Sequence, residues 1–541
     1  MTRFQQDYPT QAMPISTLTS ATLSLSSKNT KTTTTPYSST AKATSPITYT
    51  LYYGTFIHTP RLSELEINFN TLVGVNAFGE IDFIYKNFES NNGPQSPVEF
   101  FKSQYNPTSN ISSLEAIEFV DNSRDLTKFF FPGFIDTHIH ASQFPNIGIG
   151  LDTPLLDWLT TYTFAVELKF GVPLDSADDL EKKIEIAKLV YSKIIDRTLS
   201  NGTTCASYFT TIDPETTNLF ADLLLQHGQR GFVGKVCMDH NKSYPTYEES
   251  LSECEESMQK IISHCQMVNP PGETLVKPIV TPRFAPLCSK EMLRYLGRLS
   301  NEQDLPIQTH ISENKQEIEL VKQLFPESES YSQVYNKYKL LNLRTILAHA
   351  IHLSQKECDL VAGQKCSISH CPTSNSFISS GEAPVRKYLY EDKINVSLGT
   401  DVSGGFDTSI LQIVKHAILV SHHLSMKDTK DVQQSNENCK LSISDGLFMS
   451  TLGGARAVGL EDTVGTFAVG KRFDAQLIDL GVPNSNTDVF NWQLPFGGGA
   501  DEDQTRRQKV LNLLGKWVFS GDDRNCVKVW CNGRLVIDKE A

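Results

Sequence analysis

The chain has 541 residues, with 49 Lys and Arg against 62 Asp and Glu, so its formal net charge is −13. This acidic balance argues against nucleic acid or an anionic membrane as a partner, because no basic surface neutralises phosphates in bulk. No run of residues approaches the ~18 apolar positions that a membrane-spanning helix needs. The eleven cysteines are scattered without any CxxC pair, which predicts reduced thiols in a cytoplasmic protein and no disulfide framework.

Residues 1–46 differ in composition from the rest of the chain. Ser and Thr dominate the stretch Ser16–Ser45, which has few large apolar residues. Such a segment buries too little surface to offset its ordering entropy, so we expect a disordered tail. An organelle transit peptide is the alternative, since the segment is poor in acid, but no amphipathic Arg-rich helix is visible.

Short β-branched and aromatic runs occupy 47–130 and return in 466–541. Runs of this kind, broken by Gly, Asn and Pro, predict strands, and Asn532-Gly533 is a hairpin signal. We expect the two segments to form one small composite β domain. The stretch 481–508, rich in Asn, Asp and Gly, is expected to be a long loop.

Between these segments, residues 131–465 alternate short apolar runs with stretches of helical periodicity. The strand candidates are Phe134–His138, Thr203–Tyr208, Phe232–Met238, Val276–Thr281, Ile307–His310, Thr345–His349, Cys366–His370 and Val396–Thr400. Eight strands that alternate with helices are typical of an α/β fold of the (β/α)8 TIM-like barrel type.

Histidines gather at the ends of these strand candidates. His138 and His140 are two positions apart, so their side chains point to the same face of a strand. His310 and His349 end later candidates, and Asp401 directly follows the last one. The C-terminal ends of barrel strands meet at one mouth, so these side chains should converge there, although each alone has an ordinary structural explanation. Imidazole and carboxylate ligands suit Zn²⁺ or another first-row divalent ion.

Glu313 lies three residues after His310 and can reach over the same mouth. A carboxylate that is not a ligand but lies beside a metal-bound water can act as a general base. Taken alone, Glu313 fits better as an acidic residue that stabilises a helix N-terminus.

These motifs resemble the metal-dependent amidohydrolase superfamily. They comprise Pro132–His140, His310-x-x-Glu313, His349 and Gly399–Asp401. Within the superfamily the chain is most similar to the guanine deaminase family. That narrower resemblance rests on His138–Asn146, Leu155–Phe164, Val233–Asp239 and Thr281–Pro286. The likeness extends from Tyr49 to the C-terminus and leaves out the Ser/Thr-rich segment.

The resemblance implies one zinc ion per subunit and hydrolytic deamination of guanine to xanthine and ammonia. The implied zinc ligands are His138, His140, His310 and Asp401. The implied catalytic residues are Glu313 as proton shuttle, His349 as the group that positions the water, and Asp401. The implied substrate-binding residues are Gln143, Arg283, Phe284 and His310. A homodimer is the family precedent.

The residues also favour one purine over another. Arg283 offers paired N–H donors that suit the O6/N7 edge of guanine. Adenine carries a donor at position 6, and a buried polar mismatch of this kind costs ~1–3 kcal/mol. The alternatives are a related amidohydrolase acting on a pterin, cytosine, an adenosine derivative or a triazine, and a non-catalytic scaffold. Arg283 and Gln143 argue against the related amidohydrolase. The intact set of metal ligands argues against the non-catalytic scaffold.

Two other site designs are not expected. Binuclear members of the superfamily use a carboxylated lysine at the end of the fourth strand. Here Lys235 lies on the third strand candidate and Lys277 at the start of the fourth, so we expect a mononuclear site. The unrelated zinc deaminases carry an HxE…PCxxC signature, of which neither half occurs in this chain.

Overall fold

The computed structural model describes residues 49–88, 96–104, 117–172, 177–427, 439–496 and 500–540. The tail expected at 1–46 lies outside these ranges. Within them, no helix has both the length and the apolar character needed to cross a membrane.

The strands fall into a β-rich group at each end of the chain and a parallel group between them. In chain order they are β1 Tyr49–Arg61, β2 Glu64–Val75, β3 Ile81–Tyr85, β4 Ile117–Asp121, β5 Lys128–Pro132, β6 Phe134–His140, β7 Thr203–Phe209, β8 Arg230–Gly234, β9 Val236–Cys237, β10 Val276–Pro278, β11 Thr281–Pro282, β12 Ile307–Ile311, β13 Thr345–His349, β14 Ser367–His370, β15 Asn395–Leu398, β16 Ala475–Asp479, β17 Cys526–Cys531 and β18 Arg534–Asp538.

Most of the helices lie between the parallel strands. They are α1 Pro97–Gln104, α2 Leu155–Trp158, α3 Phe164–Glu167, α4 Ala177–Ser200, α5 Pro214–His227, α6 Leu251–Val268, α7 Lys290–Gln303, α8 Lys315–Leu324, α9 Tyr331–Lys337, α10 Gln355–Gly363, α11 Pro372–Phe377, α12 Val385–Tyr390, α13 Ile410–Met426, α14 Ile443–Met449, α15 Leu452–Ala457 and α16 Ala500–Ser520.

The parallel strands form a closed barrel. Strands β6, β7, β8 and β10 pair in parallel, as do β12 to β15, and β9 pairs with β11 as a continuation of β8 and β10. A bridge between Val280 and Ile307 joins the two groups. On the opposite side, the Asp401 N–H donates to the His138 carbonyl at 2.9 Å, and the His140 N–H donates to the Val402 carbonyl at 3.0 Å. The predicted (β/α)8 barrel is confirmed, and each strand candidate overlaps an observed strand.

Local sequence explains where the barrel helices begin and end. At the start of α5 the Asp213 side chain accepts a hydrogen bond from the Thr216 N–H, and Pro214 occupies the first helical position. The same helix ends at Gly228, whose φ of 79° is a left-handed conformation that favours glycine. Helix α6 begins with a capping box between Ser250 and Glu253.

Both ends of the chain contribute to one sheet, with strand order β18-β17-β16-β5-β1-β2-β3 and β4 paired with β1. Strands β5 and β16 are antiparallel neighbours, in which Pro132 lies opposite Ala475. Their shared core is aromatic, because Tyr52 stacks on Phe473 with ring centroids 4.2 Å apart. The two segments therefore join as the sequence suggests, whereas the domain limits 47–130, 131–465 and 466–541 stay predictions.

The loop expected over 481–508 is wrong from residue 500 onwards, because α16 begins there. Val510, Leu513, Leu514 and Trp517 recur at helical spacing and are buried in the main core. The polar composition that precedes them belongs in part to the first turns of a helix and not to a loop. Residues 497–499 lie outside the described ranges.

Candidate active site

Four metal-ligating side chains converge at the C-terminal mouth of the barrel. His138 and His140 lie on β6, His310 lies on β12, and Asp401 follows β15. One ligand atom from each lies within 4.8 Å of all the others. Asp401 Oδ1 is 3.1 Å from His138 Nε2 and 3.3 Å from His140 Nε2. His310 Nε2 is 3.2 Å from His140 Nε2.

These distances fit a single bound cation. Ligands about 2.1 Å from a tetrahedral ion lie roughly 3.4 Å from one another, close to the separations seen here. In the described part of the chain, His138 Nε2 is buried and has no hydrogen-bond partner. A buried polar atom without a partner is costly, and a metal ion would satisfy it. The cluster can therefore hold a metal ion.

Hydrogen bonds behind the cluster orient two of its ligands. His310 Nδ1 lies 2.6 Å from the Arg283 carbonyl, which makes Nδ1 the protonated nitrogen and leaves Nε2 free for a metal. Asp136 accepts hydrogen bonds from the Thr400 hydroxyl at 2.6 Å and the Thr400 N–H at 3.1 Å. Thr400 precedes Asp401, so these bonds hold the loop that presents the carboxylate. Burial raises the pKa of Asp136 to about 7.

Burial and mutual contact set the charges within the cluster. Burial lowers the pKa of His138 and holds that of His310 well below its usual value, so both imidazoles are neutral and offer lone pairs. Burial alone raises the pKa of Asp401, but the neighbouring His138 and His140 hold it well below its usual value. Neutral imidazoles and an ionised carboxylate are the forms that bind metal.

His349 and Glu313 lie beside the four ligands. His349 Nε2 is 3.5 Å from Glu313 Oε2 and 3.8 Å from Asp401 Oδ2. His349 Nδ1 lies 2.8 Å from the Asn375 Oδ1, so Nδ1 carries the proton. Burial lowers the pKa of His349 to about 4, and burial together with Asp401 raises the pKa of Glu313 well above its usual value. Glu313 therefore takes up a proton more readily than an exposed glutamate does.

Three residues at this mouth have left-handed backbone conformations. The φ angles are 49° for Ser312, 70° for His349 and 49° for Asp401. Each residue lies where the chain leaves a barrel strand, and such conformations cost of order 1–3 kcal/mol per residue. Gly399, two residues before Asp401, has no room for a side chain, since an added Cβ would lie 2.7 Å from His138 Cβ. The backbone at the mouth is therefore tightly constrained.

A pocket opens directly next to the cluster. Its lining residues are His140, Gln143, Leu155, Trp158, Leu159, Arg283, Phe284, His310, Glu313, His349, Ile378, Asp401 and Gly404. The structure thus brings together every residue for which a substrate-binding role is predicted. Apolar walls with a few convergent polar groups suit a flat heterocycle of small size.

Glu167 is a buried residue of this region that the motifs did not single out. It ends α3 and accepts hydrogen bonds from Arg283 Nη1 at 2.6 Å and from Gln143 Nε2 at 3.0 Å. The Tyr247 hydroxyl donates to it at 2.7 Å. Its one signal in the sequence is an acidic residue within the largely apolar run 164–170.

Two residues weighed as sites of lysine carboxylation do not enter the pocket. Lys235 lies between β8 and β9, and its ammonium group is 2.5 Å from Glu249 Oε1. Lys277 lies on β10, 6.0 Å from the centre of the Phe232 ring. The described residues around the cluster therefore offer ligands for one metal ion.

Comparison with known proteins identifies the family. The model of the amidohydrolase family matches residues 129–536. A probable guanine deaminase of Schizosaccharomyces pombe is 44% identical over 90% of this chain and 83% of its own length. Guanine deaminase of Homo sapiens is 36% identical over 90% of this chain and 96% of its own length.

A solved structure agrees with the sequence comparison. The crystal structure of guanine deaminase from C. acetobutylicum with bound guanine in the active site matches 90% of this chain and 99% of its own, with a TM-score of 0.71 and 31% identity. One conclusion follows from the shared fold, from the histidine cluster at the mouth of the barrel and from the extent of the sequence match. The chain belongs to the amidohydrolase family.

Proposed function

We propose that this protein is a metal-dependent hydrolase that converts guanine to xanthine and ammonia and so acts in purine catabolism. The pocket that lies beside the metal-ligating cluster carries this proposal. Its lining includes Arg283 and Gln143 next to Glu313 and His349. Similarity to guanine deaminases over 90% of the chain, one of them solved with guanine in its active site, supports the same substrate.

The metal is proposed to be one zinc ion per subunit, with His138, His140, His310 and Asp401 as ligands. Three imidazole nitrogens and one carboxylate oxygen suit zinc, and burial lowers the pKa of His138 and of His310, which favours their neutral, metal-binding form. When bound, zinc supplies a hydroxide nucleophile at neutral pH by lowering the pKa of water to about 7.

The protein's own residues then move the protons. Glu313 takes the proton of the attacking water and delivers it to N3 of the ring, so that the ring accepts electron density without becoming an anion. Asp401 takes the remaining hydroxyl proton and passes it to the 2-amino group, so that the tetrahedral carbon C2 collapses to a carbonyl, the C2–N bond breaks and ammonia leaves. His349, with Nε2 3.5 Å from Glu313, positions the water. Groups that shuttle protons in this way contribute about 10²–10⁴-fold to the rate.

Recognition of the base is assigned to Arg283, Gln143, Phe284 and His310. Arg283 donates to the O6/N7 edge, and Gln143 adds an amide contact at the same end of the pocket. Phe284 lines the pocket, with its ring 6.3 Å from the His310 ring, and is assigned to shape the pocket or stack on the base. Adenine is disfavoured because its 6-amino group would oppose the Arg283 donors.

We also propose a homodimer and a cytoplasmic location. The homodimer follows the precedent of the family. The cytoplasmic location is supported by the eleven cysteines, all of which are free thiols. Reduced cysteines in this number are typical of a reducing compartment.

One experiment tests the activity and the metal together. Purified protein is incubated with guanine, xanthine formation is followed by ultraviolet absorbance, and the metal content of the same sample is measured. We expect xanthine to form with about one zinc per subunit. Parallel reactions with a pterin, cytosine, adenosine and a triazine separate guanine deamination from that of a related heterocycle. Turnover of one of these and not of guanine would reject the proposal.

A further inference from the structure

The Arg283 guanidinium is held from two sides by one short helix. Glu167 on α3 accepts from Arg283 Nη1 at 2.6 Å and from Nη2 at 3.3 Å, while the guanidinium carbon lies 5.0 Å from the centre of the Phe164 ring. Phe164 and Glu167 are three residues apart and so lie on one side of the helix. A forked pair of this kind allows the guanidinium plane a single orientation.

The same carboxylate determines which way the Gln143 amide faces. Gln143 Nε2 donates to Glu167 Oε1 at 3.0 Å, and because a carboxylate only accepts, the amide nitrogen must face it. Gln143 Oε1 then points the other way, where the Ser403 N–H lies 3.4 Å away. Glu167 thereby determines where the donor and the acceptor of the Gln143 amide point, and so which of them a base can meet.

Glu167 acts from behind the pocket and not within it. It is fully buried and is absent from the pocket lining, which includes both Arg283 and Gln143. Burial alone raises its pKa, but the Arg283 guanidinium holds that pKa below its usual value, so the carboxylate is ionised. The pair is electrically neutral as a whole, which suits a pocket that accepts an uncharged base.

We propose that Glu167 is a positioning residue that sets the base preference of the pocket by holding the Arg283 guanidinium and the Gln143 amide in one orientation. This inference rests on the proposed deamination of guanine. Without the Glu167 carboxylate, the Arg283 side chain has several rotamers available and the Gln143 amide can turn over. The loss of these fixed orientations then weakens recognition of the O6 edge of the base.

The test compares Glu167→Gln with the wild type on guanine and on 2-aminopurine, which keeps the 2-amino group and lacks O6. 2-Aminopurine is measured as a substrate or, where turnover is too slow, as a competitive inhibitor. We expect KM for guanine to rise about 10- to 100-fold, because hydrogen bonds to charged groups are worth ~1.5–3 kcal/mol. The preference for guanine over 2-aminopurine should fall by a similar factor, while kcat changes much less.

Matched variants separate positioning from folding. Glu249→Gln also removes a buried carboxylate from an ion pair, with Lys235, but lies outside the pocket, so KM and base preference should stay at wild-type values. Glu167→Asp keeps the charge and should restore part of the preference. If Glu167→Gln does not fold, Tyr247→Phe removes the hydroxyl that holds Glu167 and should raise KM by about 3- to 10-fold.

The outcomes are distinct. An unchanged KM and base preference in Glu167→Gln, or in Tyr247→Phe where that variant replaces it, overturns the inference. A fall in kcat that is equal for both bases, with KM unchanged, also overturns the inference, because it indicates only that less of the protein is active. Absence of guanine turnover by the wild type rejects the proposed function itself and this inference with it.

Discussion

Replacing Glu313 by glutamine tests the proton shuttle most directly. The amide has the shape of the carboxylate but cannot take a proton from water. Glu313 Oε2 lies 3.5 Å from His349 Nε2, and Glu313 is not one of the four residues whose ligand atoms converge. We therefore expect the metal to stay bound and the KM for guanine to change little.

The expected loss is in kcat. General acid–base groups contribute about 10²–10⁴-fold, which corresponds to ~3–5 kcal/mol of activation free energy. Glu313 is proposed to handle the proton both as water attacks and as N3 is protonated, so the loss should approach the upper end of this range. Steady-state xanthine formation gives kcat and KM, and metal analysis of the same preparation gives zinc per subunit.

Glu319→Gln is the matched control, because Glu319 lies on the neighbouring helix α8 and its side chain is exposed. It should leave kcat within about twofold of the wild type. If Glu313→Gln keeps kcat within about threefold with zinc bound, the proposed shuttle is wrong. If activity and zinc are lost in parallel, Glu313 holds the ion and not the proton.

Four further predictions concern recognition, the metal, the fold and the terminal segment. Arg283→Ala should raise KM for guanine and relax the preference for guanine over adenine; unchanged guanine kinetics would exclude a role in recognition. A chelator should abolish xanthine formation and added Zn²⁺ should restore it, and activity that persists in metal-free protein, verified by metal analysis, would refute the zinc site. Trp517→Ala should lower the free energy of unfolding by about 3–5 kcal/mol in a denaturant titration, because the ring is fully buried and stacks on Phe134; a loss under 1 kcal/mol would contradict this packing. Deleting residues 1–45 should leave kcat unchanged, and a loss of active enzyme would show that the segment contributes.

The sequence by itself determined the barrel and where its chemistry lies. Strands buried on both sides read as short apolar runs, and the helices between them have their own periodicity, so both are visible in a linear pattern. The pattern also places five side chains at one mouth, because parallel strands all end at the same side of a barrel. These residues lie at or just after strand ends: His138, His140, His310, His349 and Asp401. The barrel topology brings together positions that are distant in the sequence, and this proximity can be deduced without knowing how the side chains pack.

Only the tertiary structure decided how those side chains are held. His349 donates a hydrogen bond to Asn375, and Arg283 and Gln143 donate to Glu167; these bonds join residues that are 24–116 positions apart. Such partners have no periodicity and no fixed spacing, since buried polar groups bond to whatever the fold brings within reach. The sequence does not reveal the start of α16 for a related reason. Its first turns are polar in composition, as a loop is, and only the structure shows that the face beginning near Val510 packs against the core. Periodicity reports what a segment buries, whereas polar partners are set by three-dimensional packing alone.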